Sequence, residues 1–262
     1  MSGTMEAAVV GLGLFVPGHP TLAHFSTEPA DEAARIPAGA FLDPRTRRRA
    51  SVVTRALADV YGEALSQSGL DPRDVASVFG SALGEASTMI SILDQIFREH
   101  GPVSPMKFVT SVHNTAAGLV SIASKNQGFA TSIGADYDTP AMALAEGLGL
   151  VVARGMPSIV VAGEEPSPEG LIPDESTWGL FAGAVALAPV ERAPKEAMRV
   201  RAFVSGEPTI APSETSPALS RSPVTGILDL VVALSRRETG RLRLDRGQGR
   251  GFVVELIDPT HG

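Results

Sequence analysis

The sequence predicts an α/β fold in which a largely parallel sheet carries packed helices. Three observations carry this prediction. Short apolar runs and helix-length stretches alternate four times along the chain. The runs "VASVFGSAL" and "PSIVVAGEE" are almost continuously apolar, as strands covered on both faces require. The stretch "PAMALAEGLGLVVARG" is apolar nearly all round, which marks a buried helix.

Taken in order, "AAVVGLGLF" (7–15) ends in Gly and Pro and reads as the first strand. Residues 17–44, rich in Pro, Gly, Ala and acids, read as an irregular excursion. "RRRASVVTRALADVYGEALSQSG" has helical periodicity through Val53, Leu57, Val60, Ala64 and Leu65, and stops at Gly69. "VASVFGSAL" (75–83) is the next strand. "STMISILDQIFREH" is an amphipathic helix with Met89, Leu93 and Phe97 on one face. In "TSVHNTAAGLVSIASKNQG" (110–128) a small-residue face allows another backbone to approach, so a helix at a centre or an interface is expected.

"FATSIGA" reads as a buried strand turning sharply into a helix, with Thr139 as N-cap, Pro140 in the first turn and Gly155 at the C-cap. "PSIVVAGEE" and "TWGLFAGAVALAP" are two further strands, and "MRVRAFV" is an edge strand. "SPVTGILDLVVALSRRETG" reads as an amphipathic helix, and "RLRLDRGQGRGFVVELID" as a hairpin turning at "GQG" that makes a finished ending. The expected organisation is one domain over 1–262, with 191–262 as a C-terminal extension packed on it.

Composition narrows the function classes. A net charge of −7 and 44% hydrophobic residues argue for a globular chain and against a general nucleic-acid binder. The absence of cysteine removes disulfides, thiolate metal sites and thiol nucleophiles. No apolar run is long enough for a membrane span, and the N-terminal run fits a core strand better than a signal peptide, so a cytoplasmic location is expected.

The motifs exclude more than they assign. "GLG" at 11–13 lacks the third glycine of a dinucleotide fingerprint, since Val16 stands there and no helix follows. No phosphate-binding loop, HExxH or GxSxG word occurs, so neither a cofactor nor a metal is expected. None of the five histidines is spaced as a metal pair. His113 beside a buried helix reads as a hydrogen-bonded structural histidine, with a site role as the alternative. Asp136 and Asp138 flank the turn in "TSIGADYDTP" (131–140) and read either as helix-capping charges or as an acid/base pair. "RTRRR" (45–49) puts cations ahead of a helix N-terminus, either as a solvated run or as a docking patch for an acidic partner.

The order of these elements resembles the N-terminal half of a β-ketoacyl synthase, of the thiolase-like fold. "VVGLGLFVPG" is similar to that family's opening strand and loop. "LADVYGEALSQSGLDPRDVASVFGSALGE" is similar to its helix, turn and second strand, and residues 111–165 to its interface helix, nucleophile strand, nucleophile helix and following strand. The resemblance covers about residues 7 to 190 and implies a thiolase-like half, one unit of αβαβα-type layers with a mainly mixed or parallel sheet, plus a C-terminal helix and hairpin. The family's nucleophilic cysteine falls on Tyr137 or Asp138, depending on the end from which the turn is counted. Its two active-site histidines have no counterpart here.

Together these departures resemble the chain-length-factor-type subunits of aryl polyene and type II polyketide systems. The resemblance implies a heterodimer with a full-length ketosynthase that supplies the nucleophile, and an acyl carrier protein docking at Arg45, Arg47, Arg48 and Arg49. It also places an interface or tunnel wall at His113, Asn114, Leu119, Ser132, Tyr137 and Met142. Two alternatives stay open: a stand-alone acyltransferase or thioester hydrolase using Asp136, Asp138 or a bound water, and a homodimeric acyl-binding protein.

Overall fold

In a computed structural model that describes residues 5–172 and 177–260, every described strand joins one eight-stranded sheet. The strands are β1 (Met5–Phe15), β2 (Ala76–Gly80), β3 (Ala130–Ile133), β4 (Ser158–Glu164), β5 (Phe181–Ala188), β6 (Arg199–Ala202), β7 (Gly240–Arg243) and β8 (Val253–Ile257). The helices are α1 (Leu22–Thr27), α2 (Pro44–Arg47), α3 (Val52–Ser68), α4 (Ala86–Phe97), α5 (Pro105–Val109), α6 (Thr115–Ser124), α7 (Thr139–Arg154), α8 (Pro217–Ser220) and α9 (Thr225–Ser235). The spatial order is β3-β2-β4-β5-β1-β6-β8-β7.

The α/β class holds, but parallel pairing is confined to β2 with β3 and β2 with β4, and the other five pairings are antiparallel. Alternation of strands and helices does not reveal that β1 enters the sheet between β5 and β6, both running against it.

Two apolar layers sandwich the sheet, and the two-residue period of the strands assigns side chains to them. Val78 and Val160 face α7 and α9, whereas their neighbours Phe79 and Val161 face α3 and α6. The "GLG" word belongs to this packing: a Cβ at Gly11 or Gly13 would collide with the backbone carbonyls of Ala64 and Val60 on α3. These glycines let helix and strand backbones touch. Ser51 caps α3 by accepting the Thr54 N–H, and Gly69 ends it at φ 68°.

The remaining differences have local causes. The 17–44 excursion contains α1, capped by Thr21, and half-buried Glu63 anchors it by accepting the N–H groups of Leu14 and Leu22. β6 is an interior strand between β1 and β8, because Arg201 forms ion pairs with Glu6 and Glu255 on its two neighbours while Val200 and Ala202 point into the core. α9 is buried from Thr225 to Leu234 rather than amphipathic. β3 lies at the sheet edge and is partly exposed, having β2 as its one strand partner among the described residues. Among the described residues no helix is long and apolar enough to cross a membrane.

Candidate functional site

The turn between β3 and α7 is the centre of the site. Beyond Ile133 the chain passes Gly134 and Ala135, makes a single 3-10 turn over Asp136–Asp138 and enters α7 at Thr139. Thr139 is therefore the first helical residue, and its hydroxyl accepts the Ala135 N–H across the turn at 2.9 Å. Asp136 is exposed and left-handed at φ 51°, a conformation that an aspartate tolerates better than most residues. Asp138 makes no capping bond to α7. Its carboxylate turns away and accepts the Arg250 N–H at 2.9 Å.

His113, ahead of α6, hydrogen-bonds to the Ser81 carbonyl oxygen at 2.8 Å, so Nε2 carries the proton and donates. Gly84 and Gly134 cradle the ring, since an added Cβ at either would crowd it. The structural reading of His113 accounts for these contacts, and its edge remains exposed. The Ser81 hydroxyl points the other way and donates to Glu164 Oε1 at 2.7 Å. His113 and the Ser81 hydroxyl thus do not form a base–nucleophile pair.

Glu164, at the end of β4, is fully buried. Its Oε1 also accepts the N–H groups of Ala82 and Leu83, while Oε2 is buried with no hydrogen-bond partner. Burial pushes its carboxyl up to about 7 against these hydrogen bonds. Glu85 and Glu165 are buried nearby, and burial also raises Glu85, whose carboxylate accepts the hydroxyls of Ser51 and Thr54. This carboxylate group escaped the sequence reading; the visible signal was a charged pair, "EE", ending an otherwise apolar strand.

Between α6 and β3 lies an open groove of about 480 Å³ lined by His113, Asn114, Gly118, Ser121, Thr131 and Ser132, among others. The Ser132 hydroxyl is buried without a hydrogen-bond partner. Three of the sequence candidates, His113, Asn114 and Ser132, therefore meet in one groove. Leu119 packs on the α3 side of the core and Met142 on the α9 side, while Tyr137 lines a small cavity toward the β7–β8 loop.

Ahead of His113 in the chain, α4 and α5 expose Met89, Leu93, Ile96, Phe97, Met106, Phe108 and Val109, with Phe97 at 69%. The amphipathic stripe of α4 thus faces outward. Arg45 and Arg47 lie on α2 and Arg48 and Arg49 on the turn after it, and none of the four is in an ion pair among the described residues. Arg49 reaches the Met106 sulfur at 3.7 Å, so the basic run adjoins the apolar surface.

A central mixed sheet between two helical layers, with an edge strand running through a sharp turn into a buried helix, defines a thiolase-like α/β protein. Residues 23–239 match the family described as beta-ketoacyl synthase, N-terminal domain, and the chain belongs to that family. Comparison with curated proteins gives no match. Among solved structures, the chain is similar to one chain of the ketosynthase ApeO in complex with its chain length factor ApeC from Xenorhabdus doucetiae. That match has 20% identity and a TM-score of 0.66, and covers 97% of this chain and 99% of the other. It also resembles the ishigamide ketosynthase/chain length factor, at 19% identity and TM-score 0.59 over 76% of this chain and 66% of the other. A third match is a beta-ketoacyl synthase from Burkholderia phymatum, at 12% identity and TM-score 0.53 over 72% of this chain and 60% of the other.

Proposed function

We propose that this chain is a non-catalytic, chain-length-factor-like subunit that pairs with a full-length ketosynthase in acyl-chain elongation of the polyene or polyketide type. The observation that carries this reading is the elbow: it has the family's strand–turn–helix path, but Tyr137 and Asp138 stand where a nucleophile is needed and no thiol exists in the chain. The mutual coverage of 97% and 99% supports it, because the matched chain of the ketosynthase/chain length factor complex must be of similar size.

The partner-facing surface in this reading is the open edge of β3 with the α6 groove. A free strand edge offers unpaired N–H and C=O groups that a second strand satisfies. The apolar side chains on α4 and α5 extend that surface, as an interface core requires. His113, Asn114 and Ser132 would line the wall facing the partner's acyl chain. The four arginines at 45–49 would receive an acidic acyl carrier protein by charge complementarity. Chemistry would reside in the partner, in the cytoplasm.

Native mass spectrometry of this chain co-expressed with a ketosynthase encoded beside it tests the reading. The expected result is a one-to-one complex in which acyl groups appear only on the larger subunit. A stable homodimer that ignores the synthase would overturn it and favour the homodimeric acyl-binding protein.

A further inference from the structure

The C-terminal hairpin and the elbow meet in a way that neither element explains alone. The loop joining β7 to β8 is a closed unit organised around Asp245, whose carboxylate accepts the N–H groups of Gly247 at 2.9 Å and Gly251 at 2.6 Å and pairs with Arg243 at 2.5 Å. Arg246, left-handed at φ 49°, anchors that unit to the core. It makes a bidentate pair with fully buried Asp229 of α9 at 2.6 and 2.7 Å and donates to the Ser213 carbonyl. The far end of the loop grips the elbow. The Arg250 N–H donates to Asp138 Oδ1, and Gly249 sits so close to that carboxylate that a Cβ there would collide with it. Tyr137 closes the remaining space, a cavity of only about 10 Å³ walled by Thr225, Leu244, Arg246 and Gln248.

We propose that the β7–β8 loop plugs the elbow. Residues 245–251 grip Asp138 and hold Tyr137 against the hairpin, closing this chain's own side of the turn and making Asp138 a positioning residue rather than an acid or a base. Asp138 keeps 13% side-chain exposure and Arg250 83%, so the backbone hydrogen bond carries the grip and the 3.6 Å ion pair adds little. The inference concerns the isolated chain and does not depend on the pairing reading.

The two tyrosines allow a direct test. Tyr61 is fully buried and Tyr137 half-buried, so nitration of the full-length chain by tetranitromethane, resolved peptide by peptide with mass spectrometry, reports access to the elbow with Tyr61 as internal control. Asp138→Ala removes a charge-assisted hydrogen bond and should speed Tyr137 nitration about tenfold. Asp138→Asn keeps an acceptor for the Arg250 N–H and should stay within about twofold of the native rate. Gly249→Ala should open the turn from the other side. On the Asp138→Ala background it should add little, because the carboxylate it strikes is gone. An unchanged rate in Asp138→Ala, or effects of the two substitutions that simply multiply, would overturn the proposal. So would a gain in Tyr61 reactivity in step with Tyr137, which would make the contact part of the global fold rather than a local plug.

Discussion

Replacing Glu164 with Gln should change the pH dependence of stability in a defined direction. The Glu164 carboxyl is raised from 4.5 to about 7, chiefly by burial. A raised carboxyl binds its proton more tightly in the folded chain, so its contribution to stability is full below pH 4.5 and is lost as pH rises toward 7. That span, at about 1.4 kcal/mol per pH unit, amounts to about 3 kcal/mol. Gln keeps a carbonyl oxygen for Ser81, Ala82 and Leu83 and does not titrate. Glu63, Asp59 and Glu85 are also raised by burial and slope the same way, but they are common to both proteins and cancel in the difference. Urea unfolding of both proteins at pH 5, 6, 7 and 8 samples most of that span and should therefore give a difference curve that tilts toward the Gln variant by about 2.5 kcal/mol between the ends. Parallel curves would refute the argument and place the Glu164 proton elsewhere.

Gly13→Ala forces a methyl group onto the Val60 carbonyl of α3 and should lower stability by about 1–3 kcal/mol, read as a lower urea midpoint at unchanged slope. In the parallel pairing of β3 with β2, Phe129 and Ile133 turn their carbonyls to β2, which leaves the backbone of Ser132 facing the open edge. Ser132→Pro should therefore leave the isolated chain folded by circular dichroism while abolishing the complex with a ketosynthase in native mass spectrometry. Reversing Arg48 and Arg49 to Glu should raise the apparent KM for an acyl carrier protein several-fold at low salt with kcat unchanged, an effect that fades as ionic strength rises.

Most of the elements were legible because their periodicity is strong, and α3, α7, β4 and β5 fall where the pattern puts them. Pairing was not legible, since period and composition do not say which strand lies beside which. "MRVRAFV" looked like an edge because Arg199 and Arg201 alternate with small apolar residues. Their partners, Glu6 and Glu255, come from strands distant in sequence. Asp229 made α9 look amphipathic, and only the distant Arg246 explains how a carboxylate survives inside a buried helix. At the elbow the missing nucleophile was plain from the residues themselves. The turn of Asp138 toward Arg250 was not, because 112 residues separate the two.

The position of β1 has a consequence for synthesis. It is the first of the eight described strands to be made, yet both its neighbours, β5 and β6, begin after residue 180. At ribosomal rates the apolar run from Ala7 to Phe15 waits on the order of ten to thirty seconds for its permanent partners. Until then α3, packed through the faces of Gly11 and Gly13, and later α7 on the opposite face are the neighbours already available to cover it. Chaperone demand should therefore fall within that interval, and a nascent chain stalled before residue 180 should be more prone to aggregate than one stalled after residue 202.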